Sequence, residues 1–339
     1  MSAIIKNRIE YIDVIRGIAI FLMIAANSAP YIMNEPYNFA FRVFSSLAAP
    51  LFIALSGYML GLHSTNLKTW RTVYKGGLIV LTGVLVDVFI WDLMPFVSYD
   101  VLYLIGICVM LYPLISLMNR VQNIAWIVAV FVVSFISQFV FNYQIRNTAF
   151  QFDWNNLGIV FHQSKFLLFD GWFPIFPWAG IFLLGHFAGK YTILLKRKQK
   201  LYVLIISIAV LLFAVFLLFL QNRPTREGYC ELFYPADVFY CLTAVSLLVI
   251  FAIIYKIFNT RIWEPLRWLG RSSLFFYVLH LIIIRFFIEK LHLLFGEHLF
   301  ITFIVFYIFT FIVGFLLYKL KKTGVWQKLP FILRFLLGS

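Results

Sequence analysis

A chain of 339 residues that is 63% hydrophobic and only 12% charged is not a soluble domain with a large core. Its apolar residues recur in runs of about twenty, the length that spans a bilayer. The formal charge of +14 is divided among short polar connections rather than gathered on one patch, which argues against nucleic-acid binding. The three cysteines, Cys108, Cys230 and Cys241, form neither a disulfide framework nor a CxxC metal pattern, and no metal is expected.

The expected fold is all-α: a polytopic integral membrane protein of about ten transmembrane helices. The spans are read at residues 11–31, 39–60, 73–93, 101–118, 124–141, 173–194, 201–220, 237–258, 272–287 and 299–320. The first run carries Asp13 and Arg16 and lacks a small-x-small cleavage site, so it is expected to stay as a helix. Residues 1–322 make one transmembrane domain. Residues 323–339 mix Trp326, Phe331, Ile332 and Phe335 with Lys328 and Arg334 and read as an interfacial tail.

Basic residues orient these spans. With the N-terminus inside, 20 of the 28 lysines and arginines fall on the inner side, including Arg71, Lys75, Arg120, Arg267 and Arg271. Seven fall outside, and Arg16 lies within the first span. An even number of spans returns the C-terminus to the inside, so both termini are expected to be cytoplasmic.

Polar groups at membrane depth are where chemistry could reside. A charge within a spanning helix costs roughly 2.5–3.5 kcal/mol on insertion scales and is a functional-site hypothesis by default. Asp13 and Arg16 are i and i+3 and can pair, which would also serve simply to anchor the helix. Arg16 and Asn27 share a face and stand about 16 Å apart along the axis. Asn27 could polarise a carbonyl or hold an oxyanion. His280, about 13 Å in from the inner surface, could act as a base or only pack. Asp87 in the third span could orient a histidine or an arginine, or pair with Arg16 across the bundle. His162 lies in the long outer connection 142–172, which leads into Trp172-Phe173-Pro174-Ile175-Phe176-Pro177-Trp178. The two prolines and four aromatics of this stretch read as a broken, aromatic-belted entrance or as a plain belt, and His162 as a further candidate base or a solvated loop residue. Arg16, Arg71, Lys75 and Arg271 could hold the phosphates of a nucleotide-bearing cofactor, or be ordinary inner-side charge.

Five stretches then resemble one family. They are Arg8 through Asp13, Arg16-Gly17-Ile18-Ala19 and Asn27; Ala49-Pro50-Leu51-Phe52 through Ser56-Gly57; Tyr99-Asp100-Val101-Leu102 through Gly106; Phe173-Pro174 through Pro177-Trp178 and Leu184-Gly185; and Leu269-Gly270-Arg271-Ser272-Ser273 through His280. In type and order they resemble the heparan-α-glucosaminide N-acetyltransferase group of transmembrane acyltransferases. The resemblance implies an acetyl-CoA-dependent enzyme that passes an acetyl group from the cytoplasmic side to an amino sugar, or a sugar hydroxyl, across the membrane. It implies acetyl-CoA as donor, a glycan or amino-sugar acceptor and membrane lipids as partners, and it leaves a homodimer open. The short loops fit a bacterial inner-membrane relative. One departure stands out: the lysosomal enzymes carry a histidine in the first outer loop shortly after the asparagine matched by Asn27, and residues 28–38 here contain none. His280, His162 or Glu35 would then supply the base, or the acceptor is activated differently; His280 is taken first, with His162 as the alternative, while Asn27 positions the acyl group and Asp13 and Asp87 orient. A transporter or flippase for a lipid-linked or amphiphilic substrate is the competing reading of the same buried polar groups.

Overall fold

The computed structural model describes residues 9–33, 38–63, 69–96, 98–137, 166–192, 195–221, 235–254, 260–288, 290 and 299–338. Among these residues every regular element is helical. The longer helices are α1 (Glu10–Ile32), α2 (Phe39–Ser46), α3 (Ala48–Leu62), α4 (Thr69–Phe89), α5 (Val101–Met110), α6 (Tyr112–Leu117) and α7 (Arg120–Phe135). They continue with α8 (Ile175–Thr192), α9 (Arg197–Gln221), α10 (Pro235–Ile253), α11 (Glu264–Gly270), α12 (Ser273–Ile283) and α13 (Leu299–Lys321). Two short tail helices follow, α14 (Gly324–Lys328) and α15 (Phe331–Leu336).

Helix occupies all ten predicted stretches, but not as ten straight spans. Among the described residues five helices are long and apolar enough to cross a membrane: Glu10–Ile32, Val43–Leu62, Trp70–Phe89, Arg197–Leu217 and Ile301–Lys321. The pair Arg261–Gly270 and Ser273–Ile288, bent by 73°, makes a sixth if counted as one span. Two further stretches, 101–118 and 173–194, are interrupted by local chemistry. Pro113 starts α6 after a break at Leu111, because proline has no N–H to continue the ladder of α5. Phe176 is extended (φ −98°, ψ 116°) before a cis peptide to Pro177, so α8 is regular only beyond that point.

The chain divides into two compact units, one of residues 1–52 with 254–339 and the other of residues 53–253. In the second unit, α3 and α8 approach through small residues. A Cβ on Gly57 or Gly61 would strike the carbonyl oxygens of Phe182 and His186, and one on Gly185 or Gly189 those of Ala54 and Tyr58. Glycines four apart on both helices therefore replace side chains with backbone contact, the packing that apolar surroundings favour. In the first unit the same device joins α1 to α11. Gly17 abuts the Leu266 carbonyl, and Gly270 abuts the carbonyl of Asp13. This contact sets the position of the charged groups described next.

Candidate functional site

Six charged side chains gather where α1 meets α11. Asp13 is buried and lies between two guanidinium groups, 3.9 Å from Arg16 Nη1 and 3.5 Å from Arg271 Nε. Arg267 is buried too; its Nη1 lies 2.7 Å from Glu264 and 3.5 Å from Glu10, and its Nη2 donates to the Thr260 carbonyl at 2.7 Å. Arg271 also reaches Glu264 at 3.8 Å, and its guanidinium sits over the Tyr318 ring. Three acids thus balance three arginines. A buried charge is tolerable only with such compensation, since stripping water from an unpaired ion costs several kcal/mol. The pairing of Asp13 with Arg16 follows from i,i+3 spacing. Its sharing with Arg271 follows from the close approach at Gly270.

At the far end of α1, Asn27 and His280 are in contact. The Nδ1–H of His280 donates to the Phe276 carbonyl at 3.2 Å, so Nε2 is the acceptor, and Asn27 Nδ2 donates to it at 2.9 Å. His280 is buried, Asn27 is partly exposed, and the Tyr277 ring stands edge-on to the imidazole. Simple counting of rise along straight helices separates these two residues in depth. The bend at Arg271–Ser272 removes that separation, because α12 and the π turn that follows it (Ile284–Ile288) pack on α1.

Of the other predicted residues, Asp87 lies in the second unit and is fully buried. It accepts hydrogen bonds from Ser98 Oγ at 2.6 Å and from the Tyr103 hydroxyl at 2.7 Å. Those two hydroxyls tie the end of α4 to α5, whose first turn is capped by Asp100. Arg71 and Lys75 are exposed on α4, with Arg71 over the Trp70 ring. His162 and Glu35 lie outside the described residues.

Four polar residues carry weight that the sequence reading gave them only as inner-side charge or not at all. Glu264 and Arg267 form the shortest ion pair of the cluster, and their i,i+3 spacing was visible. Glu10 faces Arg267 only because α11 packs on α1. His186 on α8 is fully buried, with neither ring nitrogen hydrogen-bonded and the Tyr112 ring edge-on to it. Its place just beyond Gly185 was the one available signal.

A family model described as heparan-alpha-glucosaminide N-acetyltransferase, catalytic, matches residues 8–217. The chain belongs to this family. Membership in the heparan-α-glucosaminide N-acetyltransferase family makes it a membrane transferase, in keeping with its apolar helices. The match takes in Asp13, Arg16, Asn27, Arg71, Lys75 and Asp87 and ends before Arg271 and His280. Those two join the matched segment through Asp13 and Asn27. Comparison with curated proteins gave no match.

Proposed function

We propose that the protein is a membrane-bound acetyltransferase. In this reading it moves an acetyl group from cytoplasmic acetyl-CoA to an amino sugar or sugar hydroxyl on the extracytoplasmic side. The observation that carries the reading is the Asn27–His280 hydrogen bond inside a chain of this family. Acyl transfer needs a base for the acceptor's proton and a donor for the oxygen of the thioester carbonyl. In the resting protein each of these two side chains satisfies the other. An acceptor N–H or O–H that replaces Asn27 at His280 Nε2 frees the Asn27 amide for the carbonyl oxygen. His280 then takes the acceptor's proton as the new C–N or C–O bond forms; the thioester C–S bond breaks, and the coenzyme leaves as its thiol after receiving that proton from the imidazolium, which restores neutral His280. His162 is the alternative base.

The coenzyme supplies the activated acyl group; the protein supplies its grip. Arg16 is the most accessible arginine of the cluster, its side chain about a quarter exposed, and suits a phosphate contact, with Asp13, which also pairs with Arg271, beside it. Arg71 and Lys75 are exposed cations of the same use. The reading also takes the helices as ten crossings with both termini cytoplasmic, in a bacterial inner membrane, with residues 323–339 lying on the inner surface. The test is to incubate purified protein with acetyl-labelled acetyl-CoA and amino-sugar acceptors. Label in the acceptor supports the reading. Movement of an amphiphilic substrate without acetylation would replace it with transport.

A further inference from the structure

The 324–338 segment does not merely follow α13; it is fastened to the corner between α11 and α12. Lys321 Nζ donates three hydrogen bonds of 2.8 Å: to the Arg271 carbonyl, to the Ser272 hydroxyl and to the Gly338 carbonyl. One ammonium therefore uses its three protons to join the end of α13, the 73° corner and the end of the tail. Gly338 has φ +91°, and a Cβ there would strike the Arg271 carbonyl, so the tail backbone lies directly against that corner. The side chain of the same Arg271 pairs with Asp13. Its Nε is buried with no hydrogen bond, 3.5 Å from Asp13 Oδ2, so the geometry of the pair follows the position of the Arg271 backbone.

The outer side of this segment is suited to a lipid surface. Residues 299–338 contain no Asp or Glu, while Lys319, Lys321, Lys322, Lys328 and Arg334 are all cationic. Val325, Phe331, Ile332 and Leu333 are exposed, and α14 and α15 bring them next to Lys328 and Arg334. Apolar side chains beside unbalanced cations are what binds an interface of anionic phospholipid.

We propose that residues 324–338 bind anionic phospholipid headgroups, and that Lys321 transmits this binding to the Arg271–Ser272 corner and so to the Asp13–Arg271 pair. The inference rests on the chain lying in a membrane and not on the identity of the group it transfers. Docking of the tail holds Gly338 against Lys321, which fixes the Arg271 backbone. Release of the tail frees the corner.

Hydrogen–deuterium exchange of the full chain in nanodiscs tests this, comparing wholly zwitterionic lipid with lipid containing phosphatidylglycerol. A fluorophore on Val325→Cys reports tail insertion in parallel. In the otherwise unaltered protein, phosphatidylglycerol should slow exchange across residues 266–275 severalfold and shift the fluorophore to an apolar environment. Lys328→Gln with Arg334→Gln should abolish both responses while leaving exchange in α4 and α5 unchanged. Lys321→Met should keep the fluorophore shift and lose the response at 266–275. Corner exchange that ignores phosphatidylglycerol in the wild type, or that responds equally in Lys321→Met, would overturn the proposal. Loss of acetyl transfer with these responses intact would overturn only the assigned reaction.

Discussion

Asn27 and His280 are 253 positions apart in sequence and share one hydrogen bond of 2.9 Å, with Asn27 as donor and Nε2 as acceptor. The arrangement makes the two side chains a unit. Asn27→Asp keeps the size but removes the amide N–H, and it sets a carboxylate against the lone pair of Nε2. Asn27→Ala should lower turnover by about 10²-fold or more, the usual loss when an oxyanion donor is removed, with coenzyme affinity little changed. Steady-state kinetics with acetyl-CoA titrated separately check this. A rise in KM for acetyl-CoA at constant kcat would instead make Asn27 a binding residue.

Arg16 tests the coenzyme site. A charge-assisted contact contributes roughly 1.5–3 kcal/mol, so Arg16→Ala should weaken coenzyme A binding at least about tenfold. Isothermal calorimetry on folded protein measures it. Unchanged affinity would remove Arg16 from the site and leave it as a partner of Asp13.

Arg267 is a matter of stability rather than chemistry. It is buried against Glu264 and Glu10, so Arg267→Ala leaves the half-exposed Glu10 without this cation, Glu264 with Arg271 alone, and the Thr260 carbonyl without its donor. The charge-assisted hydrogen bonds lost are worth about 1.5–3 kcal/mol each. Thermal unfolding in detergent should show a large drop in Tm. Gly17→Val should be as severe, because its side chain meets the Leu266 backbone, which has no flexible end to move aside.

Much of this was open to inspection in the sequence, and the rest was not, for identifiable reasons. Asp13, Arg16 and Asn27 lie on one helix, where spacing alone gives faces and pairs. His280 stood out as a histidine in an apolar run. Their meeting depends on the corner at Arg271–Ser272, which no periodicity encodes, and on the Gly17 and Gly270 contact, which appears in sequence only as two separate motifs. Pro113 was plain, yet the predicted span 101–118 ran through it as if straight, whereas Pro174 and Pro177 were legible as a broken span entry. Glu264 and Arg267 had helical pairing distance but were submerged in the general inner-side charge. The outer connection that carries His162 lies outside the described residues.

Asp87 separates two roles. Its carboxylate receives the hydroxyls of Ser98 and Tyr103, so Asp87→Ala would leave two buried hydroxyls without their acceptor. At about 1–3 kcal/mol for each unsatisfied group, Tm should fall clearly, while kcat per folded molecule stays near wild type. A large loss of kcat with Tm unchanged would give Asp87 an orienting role in the reaction.

Sidedness has its own measurement. Reporter fusions after Lys198 and after Gln221 flank α9 and should read cytoplasmic and extracytoplasmic respectively. The reverse pattern would invert the membrane orientation and put Arg16 on the wrong side for a cytoplasmic coenzyme.

The most direct measurement is acetyl transfer from labelled acetyl-CoA to an amino-sugar acceptor by His280→Ala protein, alongside coenzyme A binding by the same preparation. The account predicts that transfer is abolished while binding persists within about twofold, because the base is lost and the phosphate contacts are far along α1 from it. Near-normal transfer by His280→Ala would contradict it. If transfer were then lost in His162→Ala, the base would lie in the outer connection.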